Sequence, residues 1–124
     1  MSAQVIHVRE MSRFPNAVYI GRRNNRAHLP ASPFASPFAI TERSDWGPGI
    51  SRHAACLMYR DYLRSSVAGR KLLALLPALR GKPLACWCRT SDATGRAWRE
   101  CHGDQLVRLL DEHTDAELRA MAQV

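Results

Sequence analysis

The rhythm of apolar and polar positions changes several times along the 124 residues. Gln4 to Val8 alternates and is rich in β-branched residues, and Ala17-Val18-Tyr19-Ile20 has the same character, so both predict strands. Gly21 ends the second, and Arg22-Arg23-Asn24-Asn25-Arg26 follows as a polar, basic loop. From Leu29 to Ile50 no period survives, because Pro30, Pro33, Pro37 and Pro48 interrupt it. The SPFASPFA tandem inside this stretch is too short to specify a repeat fold. A connection of this length in a small domain is usually functional or poorly ordered. Phe34 and Phe38 are its expected anchors in the core.

Helical spacing takes over next. Ser51 is placed to cap a helix running to about Ser65, with Ala55, Tyr59, Tyr62 and Leu63 as its apolar stripe and Gly69 as its break. Arg70 to Leu79 predicts a short leucine-rich helix interrupted near Pro77, and Gly81-Lys82-Pro83 a turn. Leu84 to Cys88 predicts a short buried strand. A polar loop separates it from a helix at about Cys101 to Glu112, whose Leu106, Val107 and Leu110 face inward. Thr114-Asp115-Ala116-Glu117 is a capping box opening a last short helix, about 115–122. Strands separated by helices predict one small α/β domain over residues 1–124, a short central sheet flanked by helices. The first two strands are equally compatible with a hairpin, which leaves the topology open.

Composition bounds the function. With 46% hydrophobic residues the chain can bury a modest core, and its mixed charge excludes a disordered class. No apolar run approaches the roughly 20 residues that span a bilayer, so no membrane partner is expected. MSAQVIHVRE lacks the layout of a signal peptide, and the expected location is cytoplasmic. In that reducing setting Cys56, Cys86, Cys88 and Cys101 are not expected to form disulfides, and clustered cysteines there are metal ligands or reactive thiols. A net charge of +7 and a pI of about 9.9 point to an anionic ligand, a nucleotide or nucleic acid. The basic residues are spread along the chain, so weak attraction to any polyanion explains them equally well.

The segment LACWCRTSDATGRAWRECHGD, Leu84 to Asp104, concentrates the candidate chemistry. On a strand, Cys86 and Cys88 share a face and Trp87 takes the other. With Cys101 and His102 they supply the donors of a tetrahedral zinc site. Against it stand the C-x-C spacing and the roughly 100° between neighbouring positions on a helix, which sets Cys101 and His102 apart. Packing of small, buried thiols is the competing explanation for Cys86 and Cys88, and the simplest one for Cys56.

A third possibility uses the start of the helix. Backbone N–H groups around His102, Gly103 and Asp104 would bind an anion, with Gly103 permitting close approach. Cys101 would be acidified there, His102 would move a proton, and Asp104 would act as an acid or simply complement the helix dipole. That reading makes Cys101, His102 and Asp104 the catalytic candidates, and it expects Cys101 to be alkylated faster than Cys56 or Cys86. Tyr19, Gly21, Arg22 and Arg23 are the ligand-binding candidates, since guanidinium forks suit phosphate; a solvated basic loop is the alternative. Arg89, Arg96 and Arg99 around Trp98 would suit a nucleobase or single strand, unless Trp98 anchors its loop.

With these residues on the page, the chain resembles the Domain of Unknown Function 4326 family of bacteria and their phages. The resemblance is carried by Val18-Tyr19-Ile20-Gly21-Arg22, Ser36-Pro37-Phe38, Tyr59-Arg60-Asp61-Tyr62-Leu63, Leu84-Ala85-Cys86-Trp87-Cys88 and Cys101-His102-Gly103-Asp104-Gln105-Leu106. It spans about residues 4 to 111. Ser36 stands where the family has Asn, the Trp-Gly before that Asn is missing, and the loop between Cys88 and Cys101 is longer than usual. The resemblance implies an α/β fold and a site, and no reaction. The leading functional expectation is binding, and conceivably processing, of a nucleotide or nucleic-acid phosphate at the Cys/His site. The alternatives are a zinc-stabilised, non-enzymatic module that binds nucleic acid or protein, and a phage-type interaction protein using its basic surface.

Overall fold

Residues 4–38, 52–87 and 101–123 are described by the computed structural model, with the backbone alone at Arg52. Strand β3 (Pro83–Cys86) is buried along its whole length. A strand covered on both faces has no solvent-facing position, which is why PLAC is a continuous apolar run rather than an alternation. β1 (Gln4–His7) and β2 (Val18–Tyr19) flank it in a three-stranded sheet of order β1-β3-β2. Both pairings are parallel, with Val5 opposite Leu84, His7 opposite Cys86, and Tyr19 opposite Ala85. The hairpin alternative is therefore excluded: β3 lies between β1 and β2, and a hairpin needs antiparallel neighbours. A 3₁₀ segment, Val8–Arg13, leads out of β1 toward β2. Because the strands are parallel, their carboxyl ends at His7, Tyr19 and Cys86 share one edge of the sheet, where open α/β sheets place ligands.

Helix α1 (Arg52–Ser65) buries Ala55, Tyr59 and Leu63 and half-buries Tyr62, the stripe that the spacing predicts. Its expected cap, Ser51, lies outside the described residues. Gly69 is not the break. The chain turns at Ser66, whose hydroxyl accepts the Gly69 N–H at 2.8 Å and so caps α2 (Val67–Leu73). Gly69 sits inside α2 because a Cβ there would collide with the Tyr62 carbonyl. The leucine-rich helix expected over 70–79 is instead split: α2 ends at Leu73 and a 3₁₀ turn, Leu76–Leu79, carries Pro77. Gly81, at φ 76°, makes the turn into β3.

Helix α3 (Gly103–Glu112) buries Leu106, Leu109 and Leu110 and half-buries Val107. Helix α4 (Asp115–Ala122) opens with the predicted capping box, Thr114 and Glu117 each accepting the other's backbone N–H, at 3.2 and 2.9 Å. Those bonds hold the Glu117 carboxyl below the usual carboxylate range. Arg80 joins this corner to the body by donating to the Leu110 and His113 carbonyls and to the Asp115 carboxylate, at 2.8, 3.1 and 2.9 Å. Among the described residues, no helix is long and apolar enough to cross a membrane.

Candidate metal centre and basic pocket

The first turn of α3 packs hard against the sheet. A Cβ on Gly103 would lie 2.7 Å from Ile20 Cδ1 and 2.9 Å from Val5 Cγ2, so any larger residue would push these side chains aside. That approach carries His102, at the N-cap of α3, to the carboxyl edge of the sheet. Its Nε2 lies 2.8 Å from the Ile20 carbonyl oxygen. A carbonyl can only accept, so Nε2 carries the proton, and in the neutral ring Nδ1 presents the lone pair. The Tyr59 ring meets the imidazole edge-on, with centroids 5.1 Å apart and planes at 89°.

His102 Nδ1 faces sulfur on two sides, with Cys101 Sγ at 3.7 Å and Cys86 Sγ at 3.9 Å. The three donor atoms lie within 4.8 Å of one another, and all three residues are buried. Bond lengths of about 2.3 Å to sulfur and about 2.0 Å to nitrogen at a tetrahedral ion give a sulfur–nitrogen separation of about 3.5 Å. The observed spacing is within a few tenths of that. The group could therefore hold a metal ion, and two thiols with one imidazole suit zinc. The His102 bond to Ile20 is also the outer bond that metal-bound imidazoles make, fixing the tautomer and aiming the other nitrogen. The angular objection drawn from a helical Cys101-His102 pair does not hold, because α3 begins at Gly103 and Cys101 precedes it in non-helical conformation. Cys88 lies outside the described residues.

Two of the three N–H groups expected to bind an anion on the first turn of α3, those of Gly103 and Asp104, have partners within the chain. The Gly103 N–H points to Cys101 Sγ at 3.4 Å, the Asp104 N–H donates to the Cys101 carbonyl and the Gln105 N–H to that of His102. Gly103 itself is buried, against Ile20 and Val5. Asp104 accepts the Cys101 N–H at 2.9 Å, which ties the chain entering α3 to its first turn. Burial argues for the opposite order of thiol reactivity. Cys101 is 1% exposed, while Cys86, at 3%, borders a pocket. In time-resolved alkylation of the folded, metal-free protein, Cys86 is expected to label before Cys101, and Cys101 only at the rate of unfolding. Mass spectrometry of the peptides reads that order.

The pocket has a volume of about 350 Å³ and lies at the carboxyl edge of the sheet. Cys86 and His102 border it together with Tyr19, Gly21, Arg22, Arg23 and Trp87. The basic loop after β2 thus stands beside the Cys/His group, as a parallel sheet requires. Trp87 Nε1 donates to the Tyr19 hydroxyl at 3.1 Å, and that hydroxyl donates to the Arg22 carbonyl. A Cβ on Gly21 would lie 2.7 Å from the Tyr19 ring, so a larger residue here would displace that ring. Arg22 Nε and Nη2 donate to the Ser36 carbonyl at 3.3 and 3.2 Å, which fixes the opposite wall. Arg89, Arg96, Trp98 and Arg99 lie outside the described residues.

Sequence reasoning leaves Ser36, Phe38, Asn24 and Trp87 without a place in the site, yet all four border the pocket. It also treats Tyr59 as part of an apolar stripe. The Tyr59 hydroxyl in fact donates to the Phe34 carbonyl at 2.7 Å, and burial, with Tyr62, Cys101 and Cys86 nearby, pushes the phenol above its ordinary range. A fully buried tyrosine needs a partner for its hydroxyl, and that need is the signal the sequence offers. The segments Val18–Arg22, Ser36–Phe38, Tyr59–Leu63, Leu84–Trp87 and Cys101–Leu106, far apart in sequence, all meet at this pocket or the Cys/His group behind it.

Residues 3–112 match the family described as a domain of unknown function, DUF4326. The chain belongs to this family. It is also 32% identical over 94 residues to the uncharacterized protein R718 of Acanthamoeba polyphaga mimivirus, an alignment covering 74% of this chain and 65% of that relative. No solved structure matches. The match to DUF4326 takes in every residue of the Cys/His group and of the pocket.

Proposed function

We propose that the protein binds a nucleotide-sized phosphate ligand in the pocket at the carboxyl edge of its sheet, beside a zinc ion held by Cys86, Cys101 and His102. The observation that carries this is the shared lining: Arg22 and Arg23 stand around the same cavity as two of the three metal-capable residues. With the Arg22 fork turned to Ser36, Arg22 offers its charge and Arg23 its guanidinium to phosphate oxygens, and Trp87, 44% exposed on the rim, offers an apolar surface to a base or sugar. The volume, about 350 Å³, is at the small end of ligand sites and favours a free nucleotide or a chain end over a duplex. A second reading, a zinc-stabilised module without a small ligand, is supported by the depth of Cys101 alone.

Binding of AMP and inorganic phosphate measured by calorimetry tests the proposal. Affinity is expected to fall as salt is added, and Arg22→Glu with Arg23→Glu to weaken it at least about tenfold, the worth of one or two charge-assisted bonds. Arg119→Glu, on the exposed side of α4, is expected to change it little. Equal losses at both places would leave only attraction to a +7 surface.

A further inference from the structure

Cys86, at the end of β3, and Cys101, just ahead of α3, both stand as thiols. Their sulfurs lie within 4.8 Å of each other and share a neighbour, His102 Nδ1, at 3.9 and 3.7 Å. A disulfide holds its sulfurs about 2.05 Å apart, and a change of χ1 rotamer carries a cysteine sulfur by roughly 3 Å. The gap between the two is therefore of the size that side-chain rotation covers. Their access differs. Cys86 borders the pocket, so a small solute in the cavity meets this residue before Cys101, which is 1% exposed and not part of the pocket lining. Cys56, on α1, belongs to neither the Cys/His group nor the pocket.

We infer that this pair is a peroxide-responsive dithiol: hydrogen peroxide entering the pocket oxidises Cys86, and Cys101 converts the product to a Cys86–Cys101 disulfide. In the first step the Cys86 sulfur attacks one peroxide oxygen and the O–O bond breaks. That gives a sulfenic acid on Cys86 and one water, which carries away the thiol proton. In the second step the Cys101 sulfur attacks the Cys86 sulfur. An S–S bond forms, the S–O bond breaks, and a second water leaves with the Cys101 proton. Two thiols lose two electrons and one peroxide gains them, so no further reactant is needed. The inference goes beyond the zinc-and-phosphate reading and does not depend on it. It has a consequence for that reading, because a disulfide takes two of the three donors from the ion and releases it until a thiol reductant restores them.

The whole protein is treated with hydrogen peroxide as purified and again after chelation, and its peptides are mapped by mass spectrometry without reduction. Most chains are expected to carry a Cys86–Cys101 bridge with Cys56 still a thiol, and dithiothreitol to reverse it. In urea the preference for this pair is expected to vanish, since the fold is what brings the sulfurs together. A bridge from Cys86 to Cys88, a Cys86 that stops at sulfinic acid, thiols that survive in the chelated protein, or the same pairing in urea would each overturn the inference. A colorimetric chelator follows zinc in the same samples. A Cys86–Cys101 bridge with no zinc released supports the dithiol and counts against the zinc reading alone. Two variants test the order of attack. Cys101→Ser combined with Cys88→Ser is expected to accumulate a sulfenic acid on Cys86, captured by dimedone, and Cys86→Ser to leave Cys101 unoxidised. Dimedone on Cys101 in the Cys86→Ser protein would overturn the assigned roles.

Discussion

Metal analysis of the purified protein is expected to return about one zinc per chain, and chelation to lower its melting temperature by more than about 10 °C, because site formation and folding are coupled. The argument is local. Cys86 ends the central strand, while Cys101 and His102 introduce α3, so the ion would cross-link two elements distant in sequence. Removing it leaves two thiols and an imidazole facing one another in a buried space. Cys86→Ser and Cys101→Ser separate this from packing. If the thiols only fill volume, each substitution costs the same with and without chelator. If they hold zinc, each is costly in the loaded protein and nearly silent in the stripped one. Substoichiometric metal with no melting shift would remove the centre and leave a packed trio.

Gly69→Ala is expected to destabilise the fold by about 1–3 kcal/mol, although the residue lies within a helix, where alanine ordinarily gains about 1 kcal/mol over glycine. Sterics outweigh propensity here because the obstacle is backbone. The added Cβ would run into the Tyr62 carbonyl oxygen and come to 2.8 Å from Leu63 Cα, neither of which can rotate away. The same carbonyl is engaged by the Ser66 N–H at 3.1 Å and hydroxyl at 2.7 Å, so it is held from the other side. The helix α2 must back off, taking the buried Leu72 and Leu73 from the core. Ala68→Gly, at the neighbouring exposed position, is the control and should cost about 1 kcal/mol from propensity alone. Urea unfolding of the pair reads both, and a stabilised Gly69→Ala protein would refute the close contact.

Signals that involve near neighbours are legible in the sequence itself. Thr114 and Glu117 announce their capping box because its partners are three residues apart, and the stripe Ala55, Tyr59, Leu63 follows from helical spacing. What stays hidden depends on partners distant in sequence. Nothing within Gln4–His7 or Val18–Tyr19 says that both strands wait for Pro83–Cys86. Gly69 looks like punctuation until Tyr62 is seen against it. Cys101 and His102 look badly angled if the helix is begun two residues early, and the first-turn N–H groups look free to bind an anion until Cys101 is found using one on its sulfur and one on its carbonyl. A parallel sheet is the condition for the basic loop to stand beside the Cys/His group, and the sheet is parallel.

The position of β3 between two strands from the first twenty residues also sets an order of events during synthesis. Among the described residues, the strand neighbour of both β1 and β2 is residues 83–86, whereas α1 and α2 can pair as soon as they emerge. Contacts that join distant parts of a chain form late and slowly. The nascent chain must therefore carry both segments unpaired until β3 has emerged, a state open to capture by chaperones or by other chains. The last of these strands to arrive brings Cys86 with it, so the cysteine–histidine cluster is completed only after the sheet, once Cys101 and His102 have followed.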